Sequence, residues 1–370
     1  MSAAQIEIQL IAAVVAAACA IPGVFLVLRR MALMSDAITH SILLGIVLAF
    51  FVTEDLTSPF LILAAAATGV LTVSLVELLN RTGLVREDAA IGLVFPALFS
   101  IGVILISRFA GDVHLDTDAV LLGELAFAPF NRFVTFGFDI GPRALIVMSA
   151  ILLLNLLFIV LFFKELKLAT FDAGLAAALG FSPWLIHYGL MALVSVTAVG
   201  AFDAVGSVLV VALMIAPAAT AYLLTDDLAR MIALSVGIGI VGAIGGYWLA
   251  HLLDASIAGS MATMMGLLFG AVFLLAPERG LIAIARRRAS QRWTFAETML
   301  AIHLFNHEGS PDAAEESRVE HLGEHLRWEP AFAARVIELA DRHGTVLRHN
   351  GNLALTDRGR ELARTAIVTS

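Results

Sequence analysis

The sequence predicts an all-α polytopic membrane protein of about nine transmembrane helices, followed by a small α+β cytoplasmic domain. Its 370 residues are 60% hydrophobic with a mean hydropathy of +0.92, whereas ordinary soluble domains are about 45–50% apolar. Long apolar runs fill the chain up to about residue 285, and charge then rises abruptly. Six of the ten histidines lie beyond residue 290. We therefore expect a transmembrane domain over residues 1–285 and a cytoplasmic domain over residues 286–370.

Nine apolar runs account for the transmembrane prediction, because most of them approach the roughly 17–25 residues that a helix needs to cross hydrocarbon. The second run is short by this measure and must begin near Met31 or be shielded by its neighbours. The count is weakest across residues 108–143, where VLLGELAF (120–127) has the length of a short re-entrant or interfacial helix. The runs are 8–28, 37–52, 59–79, 89–107, 144–163, 184–200, 205–223, 230–252 and 259–276.

Basic residues between these runs predict the orientation in the membrane, because cytoplasmic loops carry an excess of Lys and Arg. With the N-terminus outside, the inner connections hold eleven basic residues and the outer ones three, so the C-terminus is expected in the cytoplasm. The inner set is Arg29, Arg30, Arg81, Arg86, Lys164, Lys167, Arg230, Arg279, Arg286, Arg287 and Arg288, and the outer set is Arg108, Arg132 and Arg143.

Cysteine content and nucleotide-binding motifs exclude several classes of function. The single cysteine, Cys19, lies inside the first apolar run, so an internal disulfide and a thiolate metal cluster are excluded. The sequence contains no P-loop pattern of Gly, four residues, Gly-Lys and Ser or Thr. If this chain takes part in ATP-driven transport, the ATPase must be another chain, and this chain is not itself expected to be an enzyme.

An acid and an imidazole stand at the start of the second apolar run, in RRMALMSDAITHSILLG (29–45). Asp36 and His40 are four residues apart and share one face of a helix. An ionised carboxylate near hydrocarbon is costly and usually faces a partner or a wet path. The spacing leaves two interpretations open: a two-ligand metal site, or a helix start capped by Ser35 beside a packed interfacial histidine.

Three further segments carry candidate roles. In KELKLATFDAGLAAALGF (164–181), Asp172 opens a small-residue helix that Gly180 could end, and this helix is either a docking element for a partner or an ordinary loop helix. Pro217 lies in the middle of its span and kinks or breaks the helix unless neighbours compensate. The acidic outer segment GDVHLDTD (111–118) either attracts divalent cations or is a plain exposed loop.

The C-terminal region shows the element order of a winged helix. Two short strands around 349–352 form a hairpin, and Thr356 or Asp357 caps a final helix. Three helices are expected before the hairpin, at 294–307, 315–327 and 330–343.

Charge and histidine spacing in this region bear on what it binds. From residue 291 onward there are nine Arg, no Lys and twelve Asp or Glu, so DNA is not expected as a partner. His321, Glu324 and His325 spell H-x-x-E-H, a zinc-protease pattern. Because they fall on an expected helix of the winged fold, the open interpretations are a regulatory metal site and a solvated helix face.

Together these motifs resemble the membrane permease subunits of ATP-binding-cassette importers for manganese, zinc or iron. The resemblance covers about residues 10–280 and rests on the 29–45 run, on the 164–181 segment and on the stretch VGSVLVVALMIAPAATAY around Pro217. It implies that Asp36 and His40 line the ion path and that Asp172, Ala176 and Gly180 form the ATPase-coupling loop. No permanently bound cofactor is implied, and the transported ion is Mn, Zn or Fe.

The resemblance also implies partners and a location. These are a cytoplasmic ATP-binding subunit, an extracytoplasmic metal-binding protein, and a second permease copy or paralogue, in a bacterial inner membrane. Arg286 to Arg288 suit anionic lipid headgroups at the membrane exit. The C-terminal region resembles the winged helix of metal-dependent repressors of the iron and manganese type. Two alternatives stay open: a permease for metal chelates such as siderophores or cobalamin, and a membrane-tethered winged-helix regulator.

Overall fold

The computed structural model describes residues 2–54, 58–109, 125–135, 138–311, 313–318, 326–349 and 351–369. The chain separates into two compact units, Met1–Gly280 and Leu281–Ser370. The first holds the apolar helices and the second the charged C-terminal elements. The helix that opens the second unit begins at Leu281 and runs unbroken through Arg286 to Arg288, so the expected membrane exit lies inside this helix.

Nine helices in the described part of the first unit are long and apolar enough to cross a membrane, as the sequence predicted. The second one begins at Ala32, close to the expected Met31, which gives the short second run sufficient length. The helices of this unit are α1 (Ala3–Leu28), α2 (Ala32–Thr53), α3 (Pro59–Arg81), α4 (Glu87–Phe109), α5 (Arg143–Leu161), α6 (Phe163–Phe171), α7 (Ala173–Ala178), α8 (Pro183–Val205), α9 (Ser207–Leu224), α10 (Leu228–Leu253) and α11 (Ile257–Leu275).

A β-hairpin between α4 and α5 corrects the all-α expectation. Strands β1 (Arg132–Thr135) and β2 (Phe138–Pro142) pair antiparallel after a short 3₁₀ turn. Arg132 bonds Asp139 across the hairpin at 2.5 Å and also lies 3.2 Å from Glu7 at the start of α1. The two strands are neighbours in sequence, but the contact of Arg132 with Glu7 joins residues 125 positions apart, which no local pattern reveals. The interfacial helix considered over 120–127 falls largely outside the described residues.

Helix α1 lies at the centre of the first unit, with α5, α8, α9 and α10 packed around it. The close approach to α9 depends on Gly23, where a Cβ atom would overlap the main-chain carbonyl of Met214. Small residues allow this contact where lipid supplies no hydrophobic drive between helices. A buried amide adds a directional bond, because Asn155 Nδ2 of α5 donates to the Ala18 carbonyl of α1 at 2.8 Å. The same amide nitrogen lies 3.0 Å from Thr197 Oγ1 on α8, so one side chain joins three helices.

The second unit consists of helices, one hairpin and a small core. Its buried side chains come from its three longer helices and from both strands. Glu297 is buried among them; its carboxylate accepts a bond from Thr345 Oγ1 at 2.7 Å and lies 2.8 Å from His343 Nδ1. The elements are α12 (Leu281–His307), α13 (Ala313–Glu316), α14 (Pro330–Arg342), β3 (Val346–His349), β4 (Asn352–Leu355) and α15 (Asp357–Thr369).

The expected helix over 315–327 is wrong at the described residues that follow Glu316. The chain leaves the helix there, because the Ser317 carbonyl accepts a bond from Leu353 N at 2.8 Å and Arg318 pairs with Asn352. Backbone groups of Ser317 and Arg318 that would form hydrogen bonds within a helix are instead paired with β4. At the last helix, Thr356 Oγ1 accepts from Gly359 N at 3.0 Å. Of the two candidate caps that the sequence offers, Thr356 and Asp357, the cap is therefore Thr356.

Substituting Gly23 with valine should destabilise the first unit. The added side chain would meet the α9 backbone, and overpacking of this kind costs about 1–3 kcal/mol. The expected result is a lower unfolding temperature and less intact protein in detergent, measured by thermal unfolding and size-exclusion chromatography.

Gly237→Val is the matched control, because a Cβ at Gly237 on α10 meets nothing within 4 Å. Equal losses in the two variants would show that the α1–α9 approach is not the sensitive contact.

Candidate functional site

Asp36 and His40 lie one turn apart on α2, and their side chains meet. Asp36 Oδ1 is 3.4 Å from His40 Nε2. Two ligands that are each about 2.1 Å from a tetrahedral ion are about 3.4 Å apart. The side chains are partly exposed, 41% for Asp36 and 30% for His40, while the adjacent Ser35 and Thr39 are buried. The pair thus occupies the open face of a helix whose other side is packed.

Aromatic rings of α4 hold the imidazole in place. His40 stacks on Phe95 with 5.8 Å between ring centroids, and Phe99 meets it edge-on at 6.1 Å. Contacts on two sides restrict the rotation of the ring while leaving Nε2 toward Asp36. The geometry therefore combines a positioned nitrogen ligand with a neighbouring carboxylate on an accessible helix face.

Hydroxyl groups on the packed side of α2 are satisfied within the protein. Ser41 Oγ donates to the Ile38 carbonyl at 3.1 Å and accepts from Thr72 Oγ1 of α3 at 2.7 Å. Thr39 Oγ1 donates to the carbonyl of Asp36 at 2.8 Å. The partly exposed side chains of Asp36 and His40 are therefore the candidates on α2 for binding an ion.

In the described part of the chain, no further Asp, Glu, His or Cys side chain lies close enough to Asp36 and His40 to complete a three-ligand metal site. The acidic segment 111–118, which the sequence considered as a cation-attracting loop, lies outside the described residues. As described, the site is a two-ligand site with open positions.

The 164–181 segment folds as two short helices with well-defined ends. Asp172 is the N-cap of α7, and its Oδ1 accepts from Leu175 N at 2.8 Å. Ala176 is buried, and its carbonyl accepts from Phe181 N at 3.0 Å. Gly180 follows the helix with φ of +87°, a left-handed conformation that favours glycine. These three residues therefore define the start, the buried face and the end of one short helix.

A cluster around Arg29 connects this segment to the spans, and the sequence did not single it out as a site. Arg29 Nε donates to Thr170 Oγ1 of α6 at 3.1 Å, and its Nη1 lies 3.4 Å from His187 Nδ1 of α8. His187 Nε2 in turn lies 3.9 Å from Glu77 Oε2 on α3. Burial lowers the pKa of Arg29 to about 10, so the guanidinium stays charged at neutral pH. Arginine in the turn before α2 was the available signal, but its partners come from distant parts of the chain.

Pro217 lies buried inside α9, which continues as a helix from Ser207 to Leu224. The span is therefore not broken at Pro217, and the kink that the sequence offers as the other possibility stays a prediction. The interruption nearby is at Gly206, which has φ of +80° and is the single residue between α8 and α9. Glycine at this position permits the backbone turn that separates the two helices.

The H-x-x-E-H residues His321, Glu324 and His325 lie outside the described residues.

Comparison with known proteins supports a common origin for the whole chain. Residues 5–276 match the family described as "ABC 3 transport family". The zinc transport system membrane protein TroD of Treponema pallidum is 49% identical over 98% of this chain and 99% of that protein. The manganese transport system membrane protein MntD of Bacillus subtilis is 49% identical over 72% of this chain and 90% of that protein.

A solved structure shares the fold of most of this chain. PsaBC from Streptococcus pneumoniae in complex with Fab aligns with a TM-score of 0.61 and 29% identity, covering 74% of this chain and 92% of that one. The TroD match extends through the second unit, because it covers almost the entire chain. The family match spans all nine apolar helices together with the Asp36–His40 pair, and the chain belongs to the ABC 3 transport family.

Proposed function

We propose that this chain is the membrane permease of an ATP-driven importer for divalent transition-metal ions. The observation that carries the proposal is the Asp36–His40 pair, a carboxylate and an imidazole 3.4 Å apart on the open face of an apolar span. Relatives named for zinc and manganese transport support a cargo of the Mn, Zn or Fe class. The ion is the substrate of the protein, and no covalent chemistry is required of the chain.

The ligand set suits transit better than storage. Imidazole and carboxylate together accept Zn²⁺, Fe²⁺ and Mn²⁺, with intrinsic affinity favouring zinc over manganese. Two protein ligands leave the remaining coordination positions to water or to a second copy of the chain, so the ion is held loosely. An ion that must enter and leave requires such incomplete coordination, since a closed four-ligand site would trap it.

Partners follow from the chemistry of the chain. With no P-loop in its sequence, the permease requires a separate cytoplasmic ATP-binding subunit. A second copy or a paralogue would complete the pore, and an extracytoplasmic metal-binding protein would deliver the ion. The excess of basic residues in alternate connections supports an outside N-terminus and a cytoplasmic C-terminus in a bacterial membrane.

The coupling of ATPase motion to the ion path would run through α7, α6 and Arg29. Helix α7 would dock on the ATPase through the segment that begins at Asp172 and ends at Gly180. Its neighbour α6 is bonded to Arg29 through Thr170. Arg29 lies in the turn between α1 and α2, three residues before α2 begins at Ala32. Movement of α7 would thereby reach the end of the helix that carries Asp36 and His40.

For the second unit we propose a winged-helix-like cytoplasmic domain. The support is the order of α12, α14, the β3–β4 hairpin and α15. Nucleic-acid binding is not proposed, because this region carries nine Arg against twelve Asp or Glu and no Lys.

The two alternatives make different demands on the chain. A permease for metal chelates does not need a paired acid and imidazole, since chelate sites are large. A membrane-tethered regulator would need DNA binding by the second unit, so absence of a gel shift by the detergent-solubilised chain at low salt would set it aside.

Replacing either member of the pair should abolish most metal uptake. Outer-shell partners of metal ligands alone contribute about 10–100-fold to affinity, so loss of a direct ligand in Asp36→Ala or His40→Ala should lower uptake at least about tenfold. Accumulation of manganese, zinc and iron in cells expressing each variant provides the measurement.

The matched control is the double variant Asp254→Asn, His251→Ala, an acid and an imidazole that are exposed at the end of α10. It should transport like the original chain at equal membrane levels. Unchanged accumulation in Asp36→Ala would reject the proposed ion path.

Gly180→Ala should uncouple ATP hydrolysis from uptake. Alanine at φ of +87° costs about 1–2 kcal/mol and shifts the end of α7. In proteoliposomes with the ATP-binding subunit, we expect uptake per ATP hydrolysed to fall several-fold.

Gly174→Ala is the control for this substitution, since Gly174 lies within α7 and its added Cβ would make only an ordinary contact of 3.4 Å with Asp172 Oδ1. Normal coupling in Gly180→Ala would contradict a coupling role for this helix.

A further inference from the structure

Two histidines and a glutamate lie close together in the second unit, and none of them belongs to the motifs that predict transport. His303 and His307 are four residues apart in the last turns of α12, so they share one helix face. Glu316 ends α13, which lies against α12. The sequence alone draws attention to His321 and His325 instead, because the closeness of Glu316 to α12 arises only on folding.

The ligand atoms of the three side chains lie close together. One ligand atom from each residue can be chosen so that all three lie within 4.8 Å of one another. His303 Nε2 is 3.3 Å from Glu316 Oε2, and the two imidazole rings have centroids 4.9 Å apart. The 3.3 Å between His303 Nε2 and Glu316 Oε2 is the separation expected for two ligands about 2.0–2.2 Å from one first-row ion.

The surroundings are partly enclosed yet accessible. The side chains of His303 and Glu316 are only 10% and 11% exposed. A cavity of about 180 Å³ is lined by His307, Glu316 and β4 residues around Ala354. It has room for an ion and its remaining water ligands.

A neighbouring carboxylate that lines the same cavity, Glu308, is hydrogen-bonded to an arginine. Glu308 accepts from Arg360 Nε at 2.9 Å and from Nη2 at 2.7 Å. The candidate ligand set is two imidazoles and one carboxylate, and an ion bound there would replace the 3.4 Å contact of His303 Nε2 with the Glu316 carbonyl.

We propose that His303, His307 and Glu316 form a binding site for one divalent transition-metal ion in the second unit. Two neutral imidazoles and a carboxylate are a set that Zn²⁺ and Fe²⁺ accept readily, and zinc is favoured by intrinsic affinity over manganese. The site rests on the geometry of the second unit alone and does not depend on the proposed ion path through the first.

Binding at this site would brace the second unit. Glu316 directly precedes Ser317 and Arg318, which pair with Leu353 and Asn352 of β4. An ion held between α12 and Glu316 would therefore fix the segment that reaches the hairpin. Metal occupancy would thus change the stability of the hairpin as well as of the helix pair.

The test uses the full-length chain in detergent, in an Asp36→Ala, His40→Ala background that removes the transport pair. Equilibrium dialysis with Zn²⁺ should show about one tightly bound ion per chain. Adding His303→Ala and His307→Ala should weaken its Kd at least about tenfold, since direct ligands are removed. X-ray absorption of the bound zinc, measured on the background chain itself, should show two imidazoles in its ligand shell.

Thermal unfolding supplies a second readout. Zn²⁺ should raise the unfolding temperature of the second unit in the background chain and have no such effect once both α12 histidines are alanine. The matched control is His349→Ala, which removes an exposed histidine of β3 and should leave zinc binding unchanged.

Several outcomes would overturn the site. A background chain that binds no zinc would do so without relying on the folding of any histidine variant. Binding that persists in the His303→Ala, His307→Ala chain but disappears in His321→Ala, His325→Ala would assign the ion to the H-x-x-E-H motif instead. Fewer than two imidazoles around the bound zinc would also reject it.

Discussion

Polar groups in a bundle that crosses hydrocarbon must find partners inside the protein, because lipid offers none. In the first unit this constraint is met at α1, the most buried of the nine apolar helices in the described chain. Asn155 bonds both the α1 backbone and Thr197, and Gly23 lets α9 reach the α1 surface. The resulting rigid centre holds the end of α1, and with it Arg29, in a fixed position. The turn that leads into α2 depends on that position.

On one face of α2, the polar side chains of Asp36 and His40 are not fully enclosed by protein. Hydroxyls on the packed side of this helix are bonded internally, whereas the acid and the imidazole remain partly exposed. A carboxylate in this setting is costly unless water or a cation reaches it. The proposed ion path would account for this cost, and the aromatic rings of Phe95 and Phe99 contact the imidazole that would line it.

Metal chemistry would then appear twice in this chain, with different coordination. The pair on α2 offers two ligands and would release its ion easily, as the proposed transport requires. The trio in the second unit offers three ligands, two of them nearly enclosed, and would retain an ion longer. Because each additional ligand slows release of the ion, the second site would suit sensing of the metal concentration rather than transport of the metal. The bond of Ser317 to β4 gives such occupancy a structural consequence.

Composition and local pattern determined much of this protein. Runs of apolar residues long enough to span hydrocarbon predicted all nine helices, and the i, i+4 spacing put Asp36 and His40 on one face, because helical periodicity is a local property. Local signals also located the Asp172 cap, the Gly180 helix end and the hairpin of the second unit. The tertiary structure alone decided the β1–β2 hairpin, the contacts of Arg29 with Thr170 and His187, the continuation of α9 through Pro217, and the meeting of Glu316 with His303. The β1–β2 strands are neighbours in sequence, but Arg132 of this hairpin contacts Glu7 of α1. Each of the other features joins different elements or depends on packing around the backbone, and neither is encoded in the spacing of neighbouring residues.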